Sequence, residues 1–442
     1  MNSTTQGAQP RMRAFRASIL HCLAAPHPRE DPSAIEFIED GVLLVRDGRV
    51  VEAGPATEML GRLPASVEVT DWRGHLLVPG FVDTHVHYPQ TDVIASHGAH
   101  LLEWLEKYVL PDESRFADPT VCAEVAGFFL DELARNGTTT ACVFGTVHPA
   151  SVDALMRAAH QRRLRLVAGK VLMDRNCPDA LREDTDEGIA ASLELIERWH
   201  GKGRLAYALT PRFAPTSTRA QLAAAGKLLD AKPGLYLQTH MSETVEESAW
   251  VARLFPEAAS YLDVYERAGL IRPRSVLAHC IHIGETERSR IAAADAAISF
   301  CPSSNLFLGS GLFDFVAARD AGIRVGLGTD IGAGTRFGIP PTAGEAYKVC
   351  RLAGRDLEPM EAFYLATLGG ARALHMDDMI GNFEPGKEAD FVLLDYNATP
   401  LLKRRIEQAS DLDEKLFALM ILGDDRTVAA TYILGEQAHV RD

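Results

Sequence analysis

Pro79-Gly-Phe-Val-Asp-Thr-His-Val-His87 is the stretch on which the reading of this chain turns. It overlaps an apolar run, Leu76 to Val82, that predicts a buried strand. Side chains at i and i+2 of a strand share a face, so His85 and His87 can converge on one point. Imidazoles are good ligands for zinc and similar divalent ions. Two ligands do not complete a metal site, so the remainder must come from elsewhere in the chain.

Downstream, short apolar strands alternate with amphipathic helical patterns such as Glu124 to Arg135 and Gln221 to Leu229. The predicted strands end near His87, Thr146, Asp174, Phe213, Glu243, His282, Asn305 and Asp330. Eight β/α units predict an α/β protein built on a (β/α)8 TIM-type barrel. A doubly wound sheet also alternates, but no glycine-rich phosphate turn follows the first strand. Gly326-Leu-Gly328 lacks the third glycine of a dinucleotide fingerprint.

The flanks read differently. Residues 14 to 75 have β character, with Val42 to Val51 forming two strand runs around Asp47-Gly48, a favoured hairpin turn. Residues 384 to 395 and 427 to 435 read similarly. The expectation is a small β-sandwich domain built from both termini, residues 1–78 and 383–442, around a barrel spanning 79–382.

The 442 residues are 47% hydrophobic and 24% charged, ordinary for a globular enzyme. A net charge of -15, with no basic stripe, argues against nucleic-acid or anionic-membrane binding. No apolar run approaches the length of a membrane span. Seven scattered cysteines without a C-x-x-C pair suggest a reduced, cytoplasmic protein. Arg11, Arg13 and Arg16 faintly resemble a transit-peptide leader, but Arg13 to Leu23 reads better as a first strand.

Barrel enzymes carry their chemistry at the C-terminal ends of strands. His85 and His87 lie at the end of strand 1, His240 near the end of strand 5, His279 near the end of strand 6 and Asp330 at the end of strand 8. Alone, His240 or His279 reads as a hydrogen-bonded core histidine, and Asp330 as a helix N-cap. Together they read as chemistry, because convergent ionisable groups are expensive to bury without a purpose. His282 is expected to point elsewhere along its strand, either supporting the site residues from behind or as a structural residue. His97, His100 and His148 are left unassigned.

This pattern resembles the amidohydrolase superfamily. The matching residues are Pro79 to His87, His240, His279, Gly328-Thr-Asp330 and the C-terminal Pro385-Gly-Lys-Glu-Ala-Asp-Phe-Val-Leu393. Within it, the chain is similar to the guanine deaminase family. That similarity rests on His87-Tyr-Pro-Gln90, Asn136-Gly-Thr-Thr-Thr140, Thr210-Pro-Arg-Phe-Ala214, Phe300-Cys-Pro-Ser-Ser-Asn305, Leu308-Gly-Ser-Gly-Leu312 and Gly328-Thr-Asp-Ile-Gly-Ala-Gly334. The resemblance implies conversion of guanine and water to xanthine and ammonia, and a homodimer.

Binuclear members of the superfamily carry a carbamylated lysine at the end of strand 4. Here that strand reads Leu205-Ala-Tyr-Ala-Leu-Thr-Pro-Arg-Phe213, without a lysine, and Lys170 on strand 3 reads as snorkelling or ion-paired. One metal per chain is therefore expected. Its ligands are His85, His87, His240 and Asp330, a set that suits Zn2+ and nearly as well Fe2+. The ion would acidify a bound water, with Asp330 accepting a proton and His279 orienting the water. Glu243, three residues after His240, would shuttle protons to the ring nitrogen and the leaving amine, although it also reads as a helix N-terminal charge. For the purine, Arg212 would donate to the carbonyl, Phe213 would stack on the ring and Gln90 would pair with the amide-like edge. Without the resemblance, Arg212 reads as a rim ion pair and Phe213 as core filling.

Two other readings remain open. Another mononuclear amidohydrolase acting on a triazine, pterin or adenosine-like substrate would share the metal site. A barrel that has lost catalysis and serves as a binding protein would usually have lost metal ligands, and these are all present.

Overall fold

The computed structural model describes residues 12–26, 32–98 and 100–441. Arg11 of the basic leader lies outside the described residues. Eight parallel strands follow one another in chain order around a barrel: Phe81–His87, Thr138–Phe144, Arg165–Gly169, Leu205–Pro211, Tyr236–Met241, Ser275–His279, Ala297–Phe300 and Arg324–Leu327. Val171–Leu172 continues the third strand after a break and pairs with the fourth. The first and eighth strands close the ring. Thr84 Oγ1 donates to the Leu327 carbonyl at 2.9 Å, and Asp330 N donates to the His85 carbonyl at 2.9 Å.

Most strands stop short of the expected ends, the seventh by the most. It ends at Phe300, and Pro302–Phe307 is a helix. Pro302 lacks the N–H that a ladder needs and is well placed in a first helical turn. The fifth and sixth strands stop at Met241 and His279, where the backbone turns left-handed, and the eighth stops at Leu327, three residues before a left-handed Asp330. Ser242, His279, Cys280 and Asp330 all have φ between 50° and 70°. Such angles are uncommon for non-glycine residues and concentrate at functional sites.

The helices form where the apolar spacing predicts. Pro119–Arg135 buries Cys122, Val125, Ala126, Phe129, Leu130 and Leu133, the 3–4 spacing of one helical face. Asp118 caps it by accepting from Thr120 N, and it ends before Gly137, at φ 79°. Arg219–Ala231 corresponds to the second expected helix and is capped by Thr218.

The terminal segments form one mixed seven-stranded sheet. Its strands, in spatial order, are Glu436–Val440, Val428–Ile433, Phe391–Asp395, Glu68–Pro79, Met12–Cys22, Ile35–Arg46 and Arg49–Pro55. The predicted hairpin turns at Asp47 (φ 51°) and Gly48 (φ 80°). The sheet curls on itself, so that Arg13 Nη1 reaches the Gly435 carbonyl at 2.9 Å. Inside the curl, Phe391 stacks on Tyr432 with centroids 4.6 Å apart and Phe15 packs edge-on against both. Burying each ring contributes roughly 1.5–3 kcal/mol.

The motif Pro385 to Leu393 joins this sheet to the floor of the barrel. Arg165, at the start of the third barrel strand, donates to Glu388 from Nε at 2.9 Å and from Nη2 at 2.5 Å. Arg204 donates to Glu388 at 2.6 Å and also to Asp390. These residues are far from the cavity described below, so this motif is structural. Two helices missed in the sequence, Pro400–Ile406 and Leu412–Leu422, interrupt the C-terminal β segment. The second packs on the barrel layer, with Phe417 edge-on to Tyr347 at 4.8 Å.

Candidate active site

His85 and His87 project from the last turn of the first strand, as the i, i+2 spacing requires. His240 comes from the fifth strand and Asp330 from the turn after the eighth. Their donor atoms meet. His87 Nε2 is 3.2 Å from His85 Nε2 and 3.1 Å from His240 Nε2. Asp330 Oδ1 is 3.2 Å from His85 Nε2 and 3.4 Å from His87 Nε2.

This spacing fits a metal ion. Bonds of about 2.0–2.1 Å in a tetrahedron separate ligand atoms by roughly 3.3–3.4 Å. The donor chemistry agrees. His240 Nδ1 donates to the Arg212 carbonyl at 2.6 Å, which leaves Nε2 with a bare lone pair. Burial holds His87 and His240 well below the ordinary histidine pKa, with neighbouring imidazoles adding to the effect. Three lone pairs and a carboxylate facing one point repel one another unless a cation sits between them. Burial tends to raise the pKa of Asp330, but His85 and the other histidines outweigh it and hold the carboxyl far below its usual range.

Asp83, beneath this cluster, fixes its two ends. His85 N and Thr329 N each donate to Asp83 Oδ1 at 3.1 Å, and Thr329 Oγ1 donates to Oδ2. One carboxylate thereby ties the first strand to the turn that carries Asp330.

Glu243 and His279 stand beside the cluster. His279 Nε2 lies 3.5 Å from Glu243 Oε2 and 3.8 Å from Asp330 Oδ2. Its Nδ1 donates to Asn305 Oδ1 at 2.9 Å, which directs Nε2 between the two carboxylates. Ser310 Oγ donates to Glu243 Oε1 at 3.0 Å. Burial pushes the Glu243 carboxyl up to about 7, aided by Asp330 and opposed by His279. Glu243 is not part of the following helix. Thr244 caps Val245–Leu254 in a capping box with Glu247, whose Oε2 also accepts from Glu243 N at 2.9 Å. Asp330 is not an N-cap either, since the next helix starts at Ile339 after Gly338.

The cluster opens into a cavity lined by Gln90, Arg212, Phe213, Glu243 and His279, with Leu101, Trp104 and Leu105 among its apolar residues. The structure thus brings together the expected ligands His85, His87, His240 and Asp330 with His279, Glu243, Gln90, Arg212 and Phe213. Two details, at Arg212 and His282, differ from expectation. Arg212 is in an ion pair, but a buried one: its Nη1 contacts Glu113 Oε2 at 2.7 Å. Lys170 is ion-paired, one of the two expected readings, with its ammonium buried against Glu183. His282 lies beyond its strand, in a loop, where Nε2 donates to the Ser310 carbonyl at 2.9 Å. His97 and His100 are exposed, and His148 is half-buried before a helix.

Glu113, Trp104, Leu101 and Leu105 were not found from the sequence. They lie between Leu101 and Ser114, a helical segment whose residues carry no periodic or motif signal of a site. Asn305 and Ser310 sit in quoted motifs, but their partners are 26 and 67 residues away.

Residues 76–438 match the model of the Amidohydrolase family. The chain belongs to that family. This amidohydrolase is 49% identical to guanine deaminase from Escherichia coli (strain K12) over 98% of each sequence. The solved structure of E. coli guanine deaminase superposes with a TM-score of 0.95, over 97% of this amidohydrolase and 100% of that chain. The guanine deaminase structure from C. acetobutylicum, which has guanine bound in its active site, is 28% identical with a TM-score of 0.87, over 97% of this chain and 100% of that one. The amidohydrolase family is metal-dependent, and His85, His87, His240 and Asp330 form a cluster able to bind a metal.

Proposed function

We propose that this amidohydrolase is a guanine deaminase: guanine and water give xanthine and ammonia by substitution at C2. Support comes from near-full-length identity to guanine deaminases. The observation that carries the reading is a single cavity in which the His/His/His/Asp cluster and Glu243 face Gln90, Arg212 and Phe213.

His85, His87, His240 and Asp330 would hold one divalent cation, which supplies Lewis acidity that lets water act as a nucleophile near neutral pH. Three imidazoles and one carboxylate favour Zn2+, and Fe2+ suits them nearly as well. Asp330 accepts the proton of the attacking water. His279 holds that water between Glu243 and Asp330. Glu243 delivers a proton to the ring nitrogen beside C2, collects the remaining proton of the attacking water and passes it to the departing amine, and regains its own proton from the one Asp330 accepted; a carboxyl near neutrality can do this. Arg212 donates to the purine carbonyl, Gln90 meets the adjoining ring edge and Phe213 flanks the ring.

The homodimer rests on the family resemblance. The cytoplasmic placement rests on the seven cysteines, all of them free thiols. The domain division at 78/79 and 382/383 is supported by the separate terminal sheet. Among the described residues no helix is long and apolar enough to cross a membrane. The deciding experiment incubates metal-loaded protein with guanine and a panel of pterin, triazine and adenosine-like bases, measuring ammonia and product. Xanthine from guanine is expected. Preferred turnover of another base would overturn the proposal.

A further inference from the structure

Glu113 lies on Leu110–Ser114 with its side chain 1% exposed. Its Oε1 and Oε2 accept from Arg212 Nη1 at 2.8 and 2.7 Å. The same Oε1 accepts from Gln90 Nε2 at 3.3 Å. On the other side of the Gln90 amide, Oε1 accepts from Gly332 N at 3.1 Å. That contact needs glycine, since a Cβ at position 332 would sit 2.5 Å from the Gln90 carbonyl oxygen.

We infer that Glu113 is a specificity-determining positioning residue: it aims Arg212 and locks the Gln90 amide so that the cavity selects a 6-oxo over a 6-amino purine. This rests on Arg212 and Gln90 being the substrate wall proposed above. The argument is one of hydrogen-bond polarity. An amide has one oxygen acceptor and two N–H donors. Flipping Gln90 would set its oxygen against the Glu113 carboxylate and its NH2 against the Gly332 N–H, so one orientation is forced. A second Nε2 hydrogen stays available to a ligand. Glu113 occupies Nη1 of Arg212, and the rest of the guanidinium fork remains for the cavity. The wall is therefore rich in donors. A ring carbonyl satisfies it, whereas an exocyclic amine at the same position brings donors against donors and leaves buried groups unpaired.

The test compares guanine with 2,6-diaminopurine, which carries an amine in place of the C6 carbonyl and a bare N1 in place of N1–H. Ammonia and product are measured for metal-loaded wild type, Glu113→Gln and Glu113→Asp. The wild type is expected to favour guanine in kcat/KM by roughly ten-thousand-fold. Glu113→Gln should lower that ratio at least tenfold with metal content unchanged, because a neutral amide no longer dictates the Gln90 flip. Glu113→Asp should recover part of the ratio. A wild type that uses both bases equally, or a Glu113→Gln enzyme with an unaltered ratio, overturns the inference. Should Glu113→Gln fail to fold, Gln90→Met removes the amide that Glu113 fixes, and an unaltered ratio there overturns it as well. A wild type that turns over neither base contradicts the proposed function instead.

Discussion

His240 Nδ1 donates to the backbone carbonyl of Arg212 at 2.6 Å, and this bond couples the His/His/His/Asp cluster to the proposed purine wall. It crosses from the fifth strand to the residue just past the fourth. It sets the His240 tautomer, with Nε2 bare, while the Arg212 side chain turns into the cavity. A shift at either residue is thus transmitted to the other.

Metal removal tests the cluster directly. Exhaustive chelation should abolish activity and lower the melting temperature, and one equivalent of Zn2+ should restore both. At a free metal concentration a thousand times Kd, binding stabilises the folded state by about 4 kcal/mol. Metal analysis should give one equivalent per chain and a large deficit in His240→Ala. Two equivalents would contradict the mononuclear site.

Glu243→Gln keeps the shape of the side chain and removes its capacity to carry a proton. The kcat should fall by about 10²–10⁴-fold with metal content unchanged. Ser310→Ala should lower it less, since it removes only the hydrogen bond that orients Glu243. Near wild-type turnover in Glu243→Gln would exclude the shuttle.

Gly334 sits where no side chain fits: a Cβ there would lie 1.7 Å from the Thr329 carbonyl oxygen. Gly334 N also donates to the Asp330 carbonyl at 2.6 Å. Gly334→Ala should displace the turn that presents Asp330. Metal affinity, measured by competition with a chelating dye, should drop at least tenfold. Unchanged affinity would show that the turn adapts.

The Glu388 network gives the fold a pH dependence away from the cavity. Burial tends to raise the Glu388 pKa, but Arg165 and Arg204 outweigh it and hold the group below the usual glutamate range. A carboxyl with a depressed folded pKa adds stability above its unfolded pKa and loses it as pH falls through the folded one. Wild-type stability should therefore decline below about pH 4.5 partly through Glu388. Glu388→Gln should cost about 3–5 kcal/mol at pH 7, by leaving two buried arginines short of a partner. The difference between variant and wild type should shrink in acid, as followed by denaturant unfolding.

The residues that meet in the candidate site were legible because they obey local rules. The i, i+2 pair His85 and His87 needs only a strand, and His240, His279 and Asp330 each close an apolar strand run. Strand ends were less legible, because apolar pattern alone does not reveal where the backbone turns left-handed, as at His279 and Asp330. Glu113 was invisible because nothing in Leu110-Pro-Asp-Glu-Ser114 distinguishes it from a solvated helix acid. Its burial depends on Arg212, 99 residues away.

By itself the sequence determined the barrel, the sheet shared by both termini, the family and the side chains available at the rim. Those follow from periodicity and from side-chain chemistry, which are properties of short segments. Tertiary structure alone decided how those side chains are aimed. The Arg212 carbonyl sets the His240 tautomer, Asn305 directs His279, Ser310 steers Glu243, and Glu113 with Gly332 fixes the Gln90 amide. Each is a hydrogen bond between segments far apart in the chain, and its geometry exists only once the barrel has closed.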